Sequence, residues 1–138
     1  MRTETKYQRR CGQQRRGVLS MELVLTLPIL AVVLLGLFEF TWLFYSRSLV
    51  VEASRAGARK GTLSGVDPAE IDAEVRRVLP SRFHDGLAVT SDLGMHSGDI
   101  VRVAVEVPMS VAAPDLLWPI GVGLNGRNLY SETRMVRE

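Results

Sequence analysis

Two carboxylates bracket the most apolar stretch of this chain, Glu22 near its start in RRGVLSMELVLTLPILAVVLLGLF and Glu39 near its end. A charge at the centre of a bilayer costs roughly 2.5–3.5 kcal/mol on insertion scales, so an acidic residue beside such a run needs a position or a partner that lowers the cost. Helix rises about 1.5 Å per residue, which sets the two carboxylates roughly 26 Å apart, close to the thickness of the hydrocarbon core. Each then stands near one interface. By itself Glu22 can snorkel to the cytoplasmic interface.

The other reactive side chains offer less. His84 and His96 are isolated histidines in loop-like contexts without metal-ligand spacing and read as surface residues. The glycines of GVGLNG follow no strand-to-helix pattern that would cradle a phosphate. Asp67, Glu70, Asp72 and Glu74 form an acidic run, by default a solvated helix face and otherwise a partner or cation site. Cys11 is the one cysteine and lies before the apolar run, so no disulfide can form beyond it. No catalytic residue, cofactor, metal or small-molecule substrate is expected, and the chain reads as a non-enzyme.

The elements around these residues explain their placement. Leu23 to Phe38 holds 16 residues without a charge, and Val18 to Tyr45 is 28 residues interrupted only by Glu22 and Glu39. About 20 apolar residues suffice to cross a bilayer. Phe38, Phe40, Trp42, Phe44 and Tyr45 are five of the nine aromatic residues and read as an interfacial belt at the far end. Before Val18 stand Arg2, Lys6, Arg9, Arg10, Arg15 and Arg16 against Glu4, a charge of +5, which places this end in the cytoplasm. The whole chain is +2, so residues 18–138 carry −3, and the basic balance that would suit nucleic acid is confined to the leader. Four segments follow: a cytoplasmic leader (1–17), a transmembrane helix (18–45), its extramembrane extension (46–61) and a small extracytoplasmic domain (62–138). A domain of roughly 75 residues is marginal for a self-sufficient core and can borrow apolar surface from the helix.

The expected fold is α+β. One helix runs from about Ser20 to Lys60 with Gly61 as its C-terminal cap. Pro28 predicts a kink or local melting near Val24 to Pro28. Ala53, Gly57 and Gly61 recur at four-residue spacing and allow close approach of a neighbouring helix or sheet, which makes them candidates for subunit assembly. DPAEIDAEVRRVLP predicts a short amphipathic helix with Asp67 at its N-cap and Pro68 in its first turn. Leu87 to Leu93 is a weak strand, Ile100 to Val107 a strong one and Asn128 to Val136 a third with poorer alternation, giving an antiparallel sheet whose valine face packs on the long helix or on the short one. Val111 to Gly123 is apolar but broken by Pro114 and Pro119. It is either a loop tucked under the sheet or an exposed patch that meets a partner or the membrane surface.

From Arg15 to Gly61 the sequence resembles the N-terminus of TadE-like pseudopilins of the tight-adherence (Flp pilus) machinery, a branch of the type IV pilin superfamily. The resemblance rests on a basic leader, Gly17, a glutamate five residues on, the hydrophobic helix, Glu39-Phe40, the Ala56-Gly57-Ala58-Arg59 stretch and the C-terminal SETRMVRE. Leu23 stands where an aromatic residue is common, and Val18 where type IV pilins usually begin with phenylalanine.

The resemblance implies processing by a prepilin peptidase between Gly17 and Val18, with the helix kept as an anchor rather than removed like a signal sequence. Glu22 can then pair with the freed α-amine of Val18, on its own chain or the next subunit, and Glu22 and Glu39 become assembly residues. The implied setting is the bacterial inner membrane, with the N-terminus cytoplasmic and the domain outside. The implied partners are the peptidase, other pilins and pseudopilins, the assembly platform and membrane lipid. The size of the outer domain favours a minor pseudopilin over the very short major pilin. Two other readings stay open: a membrane-anchored binding module that never polymerises, and a secreted enzyme that sheds the entire apolar segment.

Overall fold

The computed structural model describes residues 13–137, with side chains from Ser20 onward. Residues 1–12 of the expected leader, Cys11 among them, lie outside the described residues. α1 runs from Gln13 to Gly61 as one helix of 49 residues and passes through Pro28. Local melting around Val24 to Pro28 does not occur: proline removes one N–H donor, and the neighbouring turns keep theirs. Just before Pro28, the Thr26 hydroxyl donates to the carbonyls of Glu22 (3.1 Å) and Leu23 (3.2 Å).

The chain divides after Leu37 into two compact units. Among the described residues the first unit is helix alone, with Met21, Leu23, Val24, Leu25, Leu27, Ile29 and Leu30 all exposed. A helix apolar on every side belongs in lipid or in a large core. Ser20–Gly61 is the segment long and apolar enough to cross a membrane by length and composition.

The second unit starts at Phe38. On this part of α1 are built α2 (Pro68–Val78), β1 (Ala88–Asp92), β2 (Ile100–Pro108), the single turn α3 (Met109–Ala112) and β3 (Asn128–Val136). The strands form an antiparallel sheet in the order β1-β2-β3. The fold is therefore α+β.

Alternation on β2 decides the packing. Val101, Val103, Val105 and Val107 are fully buried, and burial of each such side chain contributes roughly 1.5–3 kcal/mol. Glycines on α1 let it come close to two of them, Val101 and Val103. A Cβ on Gly57 would stand 2.8 Å from Val75 Cγ2 of α2 and 3.2 Å from Val103 Cγ1, and one on Gly61 would stand 2.9 Å from Val101 Cγ1.

The inward positions of β3, set by its register with those valines, are Leu129, Ser131, Thr133 and Met135. Two of the four are polar, which is why the strand alternates poorly in hydropathy. Their hydroxyls are met by the buried Ser54 on α1, at 3.0 Å from Ser131 and 2.8 Å from Thr133. Buried hydroxyls without such partners would oppose folding.

α2 starts with Pro68 in its first turn, as expected. Asp67 occupies the N-cap with extended backbone, but its side chain makes no capping bond; its carbonyl accepts from the Glu70 N–H (3.0 Å). At the other end His84 Nε2 lies 3.0 Å from the Arg76 carbonyl and 3.2 Å from that of Leu79. Two acceptors make this nitrogen the protonated one, so His84 satisfies carbonyls at the helix end.

Candidate functional site at the carboxylates of the long helix

Glu39 lies on the first turn of the second unit, where the apolar run ends, and is 2% exposed. A buried carboxylate needs hydrogen-bond donors. Here they come from a loop 77 and 78 residues away in sequence: the N–H groups of Leu116 and Leu117 both donate to Glu39 Oε2 at 3.0 Å. Two turns further along α1, the buried Ser46 hydroxyl donates to the Ala112 carbonyl at 2.6 Å. Asp115 closes the loop on itself, its Oδ2 accepting the Leu124 N–H at 3.2 Å. Among the described residues, Asp115 Oδ1 is the buried side-chain oxygen without a hydrogen-bond partner.

The loop is neither wholly tucked in nor wholly exposed. Ala112, Ala113, Leu117 and Leu124 are buried, while Trp118, Ile120 and Val122 face outward. Nothing in the sequence pairs Glu39 with this loop, since the partners are main-chain N–H groups. The only signals were a carboxylate on a helix and a proline-broken apolar segment that needed its donors satisfied.

The remaining expected residues fall in two groups. Glu22 is exposed on the first unit, four residues beyond Val18 and therefore on the same face of α1. Gly17 and Val18 lie within the described backbone of α1. Ala53, Gly57 and Gly61 are buried against α2 and the sheet of their own chain. Their small size serves the contact with this sheet, and Glu39 is bonded to a loop of its own chain.

Charges on α2 are paired internally: Lys60 with Glu70 (3.6 Å), Arg76 with Asp72 (2.7 Å) and Arg77 with Glu74 (2.6 Å). The Arg77 side chain holds the Glu74 carboxyl below its ordinary range by hydrogen bonding and charge, and Glu74 in turn raises Arg77. On the outer face of the sheet Glu132 accepts from the Tyr130 hydroxyl (2.7 Å) and Arg134 (2.6 Å). The hydroxyl first and the guanidinium second lower the Glu132 pKa, and the carboxylate raises that of Tyr130. Among the described residues no group of three or more His, Cys, Asp or Glu side chains is arranged to hold a metal ion. An open groove of about 650 Å³ runs along α1, lined by Phe44, Arg47, Val51, Arg55, Arg59 and Val78 among others. It presents a helix face that the domain leaves uncovered.

These features define a class: a protein with one apolar helix able to anchor it in a membrane, and a small α+β domain assembled on the continuation of that helix. Residues 17–59 match the family model described as TadE-like protein, so this part of the chain is similar to that family. The matched region begins at Gly17 and takes in both carboxylates. No curated protein and no solved structure matches the chain.

Proposed function

We propose that this protein is a minor pseudopilin of a tight-adherence pilus, cut by a prepilin peptidase between Gly17 and Val18 and held in the bacterial inner membrane by α1. The observation that carries the reading is the TadE-like match starting at Gly17, with an exposed Glu22 five residues on and an all-apolar helix behind it. Glycine at this position costs a helix about 1 kcal/mol relative to alanine, which eases local opening for a peptidase. Cleavage frees the amine of Val18. At i,i+4 spacing that amine lies on the Glu22 face, and pairing offsets the cost of holding either charge near lipid.

Lateral packing in this reading uses Glu22 and the open α1 face around Phe44, Val51 and Arg55. Glu39, Ala53, Gly57 and Gly61 lie inside the fold, where they hold the outer domain to the helix. Mass spectrometry of the membrane-extracted protein tests the first step. A mature N-terminus at Val18 is expected, and one beyond Tyr45 would remove the reading. Glu22→Ala should leave a cleaved, anchored chain that assembles poorly, and normal pilus formation by that variant would eliminate the pairing role. A Val18 terminus without helix crosslinks to pilus components would indicate an anchored module that does not polymerise.

A further inference from the structure

We infer that the loop around Trp118 is a second membrane contact, seated in the lipid headgroup and upper acyl region beside the point where α1 emerges. This rests on the reading of α1 as a membrane anchor. Two fixed points give the loop its direction. Ala112 is tied to Ser46 and Leu116–Leu117 to Glu39, seven residues nearer the apolar run. The chain therefore descends about 10 Å along α1 toward the span before reaching Trp118. Glu39 lies two residues after Leu37, the last residue of the apolar unit. In the tip that follows, Trp118, Ile120 and Val122 are 68%, 56% and 48% exposed.

The tip is built for lipid. No charged residue occurs from Leu116 to Gly126. Backbone N–H groups must be satisfied before a segment enters a low-dielectric layer. Pro119 has none, those of Leu116 and Leu117 go to Glu39, and those of Ile120, Gly121 and Val122 go to carbonyls of Leu117 and Trp118 inside the loop. Gly121 turns the chain back with a φ of 87°, so the apolar side chains cluster at the turn. On α1, Trp42 of the aromatic belt carries the Arg82 guanidinium over its ring at 5.2 Å.

Trp42 and Trp118 are the two tryptophans of the chain, so Trp42→Phe leaves Trp118 as the sole reporter. The full chain is reconstituted in phosphatidylcholine vesicles carrying bromine on shallow acyl carbons, with flotation run in parallel. The expected result is that brominated lipid removes most of the Trp118 emission while aqueous iodide removes little. Quenching by iodide without quenching by lipid overturns the inference. Protection from both quenchers also overturns it, in favour of a protein cover. Failure of the chain to float with vesicles refutes the anchor itself, which distinguishes that loss from failure of the loop contact alone. A nitroxide on Ile120→Cys, in a Cys11→Ser background, gives an independent reading at an exposed position. Greater collision with oxygen than with a water-soluble nickel complex supports lipid contact, and the reverse opposes it.

Discussion

Replacing Glu39 by alanine removes the single oxygen that accepts both the Leu116 and the Leu117 N–H at 3.0 Å. The Leu117 bond is buried, so its amide is left without an acceptor, at about 1–3 kcal/mol; the Leu116 bond is partly buried and its amide can turn to water, at about 1 kcal/mol. The expected destabilisation of the loop is therefore about 2–4 kcal/mol. Glu39→Gln keeps an acceptor oxygen and loses only the charge assistance, about 1 kcal/mol. Amide hydrogen exchange in detergent micelles, read at Leu116 and Leu117, should fall in protection by roughly 30- to 700-fold for alanine and by roughly fivefold for glutamine, at 1.4 kcal/mol per tenfold. Amides in β2 should change far less, because that strand pairs with β1 and β3. Unchanged protection of Leu116 and Leu117 in the alanine variant would refute the claim that this carboxylate holds the loop.

Gly57→Leu adds a Cβ that would lie 2.8 Å from Val75 Cγ2 and 3.3 Å from Ile71 Cγ2, with further atoms beyond it. Overpacking there should cost about 1–3 kcal/mol or more, seen as a lowered thermal midpoint in micelles, whereas a leucine at the exposed Arg55 should leave the midpoint nearly unchanged. Tyr130→Phe removes the largest cause of the lowered Glu132 pKa, so that value should move back up toward 4.5 in an NMR titration, with Arg134 retaining part of the depression. Because the folded pKa is lowered, the stabilising contribution of Glu132 is present above the unfolded value and is lost as pH falls through the depressed one. The substitution should therefore make the sheet face less sensitive to acid below about pH 4.5, and an unmoved Glu132 titration would refute the assignment.

Most of the secondary structure was legible because it rests on local patterns. The apolar run, the proline-led α2 and the strict valine alternation of β2 each carry their own period. β3 was legible only weakly, because its inward serine and threonine are polar by hydropathy and only half-buried, their hydroxyls meeting the buried Ser54, a partner 77 and 79 residues distant. The four-residue spacing of Ala53, Gly57 and Gly61 correctly signalled close approach of another element, but spacing does not say whether that element is in the same chain. For Glu39 the charge was legible and its partners were not, since backbone N–H groups leave no mark in a sequence. The 111–123 segment presented two alternatives and contains both, with Ala112, Ala113 and Leu117 buried and an exposed tip after them.

The fastenings at Glu39, Ser46 and Ser54 are distributed along 15 residues of one helix, about 22 Å. Loads drawn along the axis of α1 therefore act on the outer domain in shear, across all three at once, rather than peeling them apart in turn. The helix is a strut within the domain as well as a tether to it, so a tug on the tether is felt directly by the valine sheet.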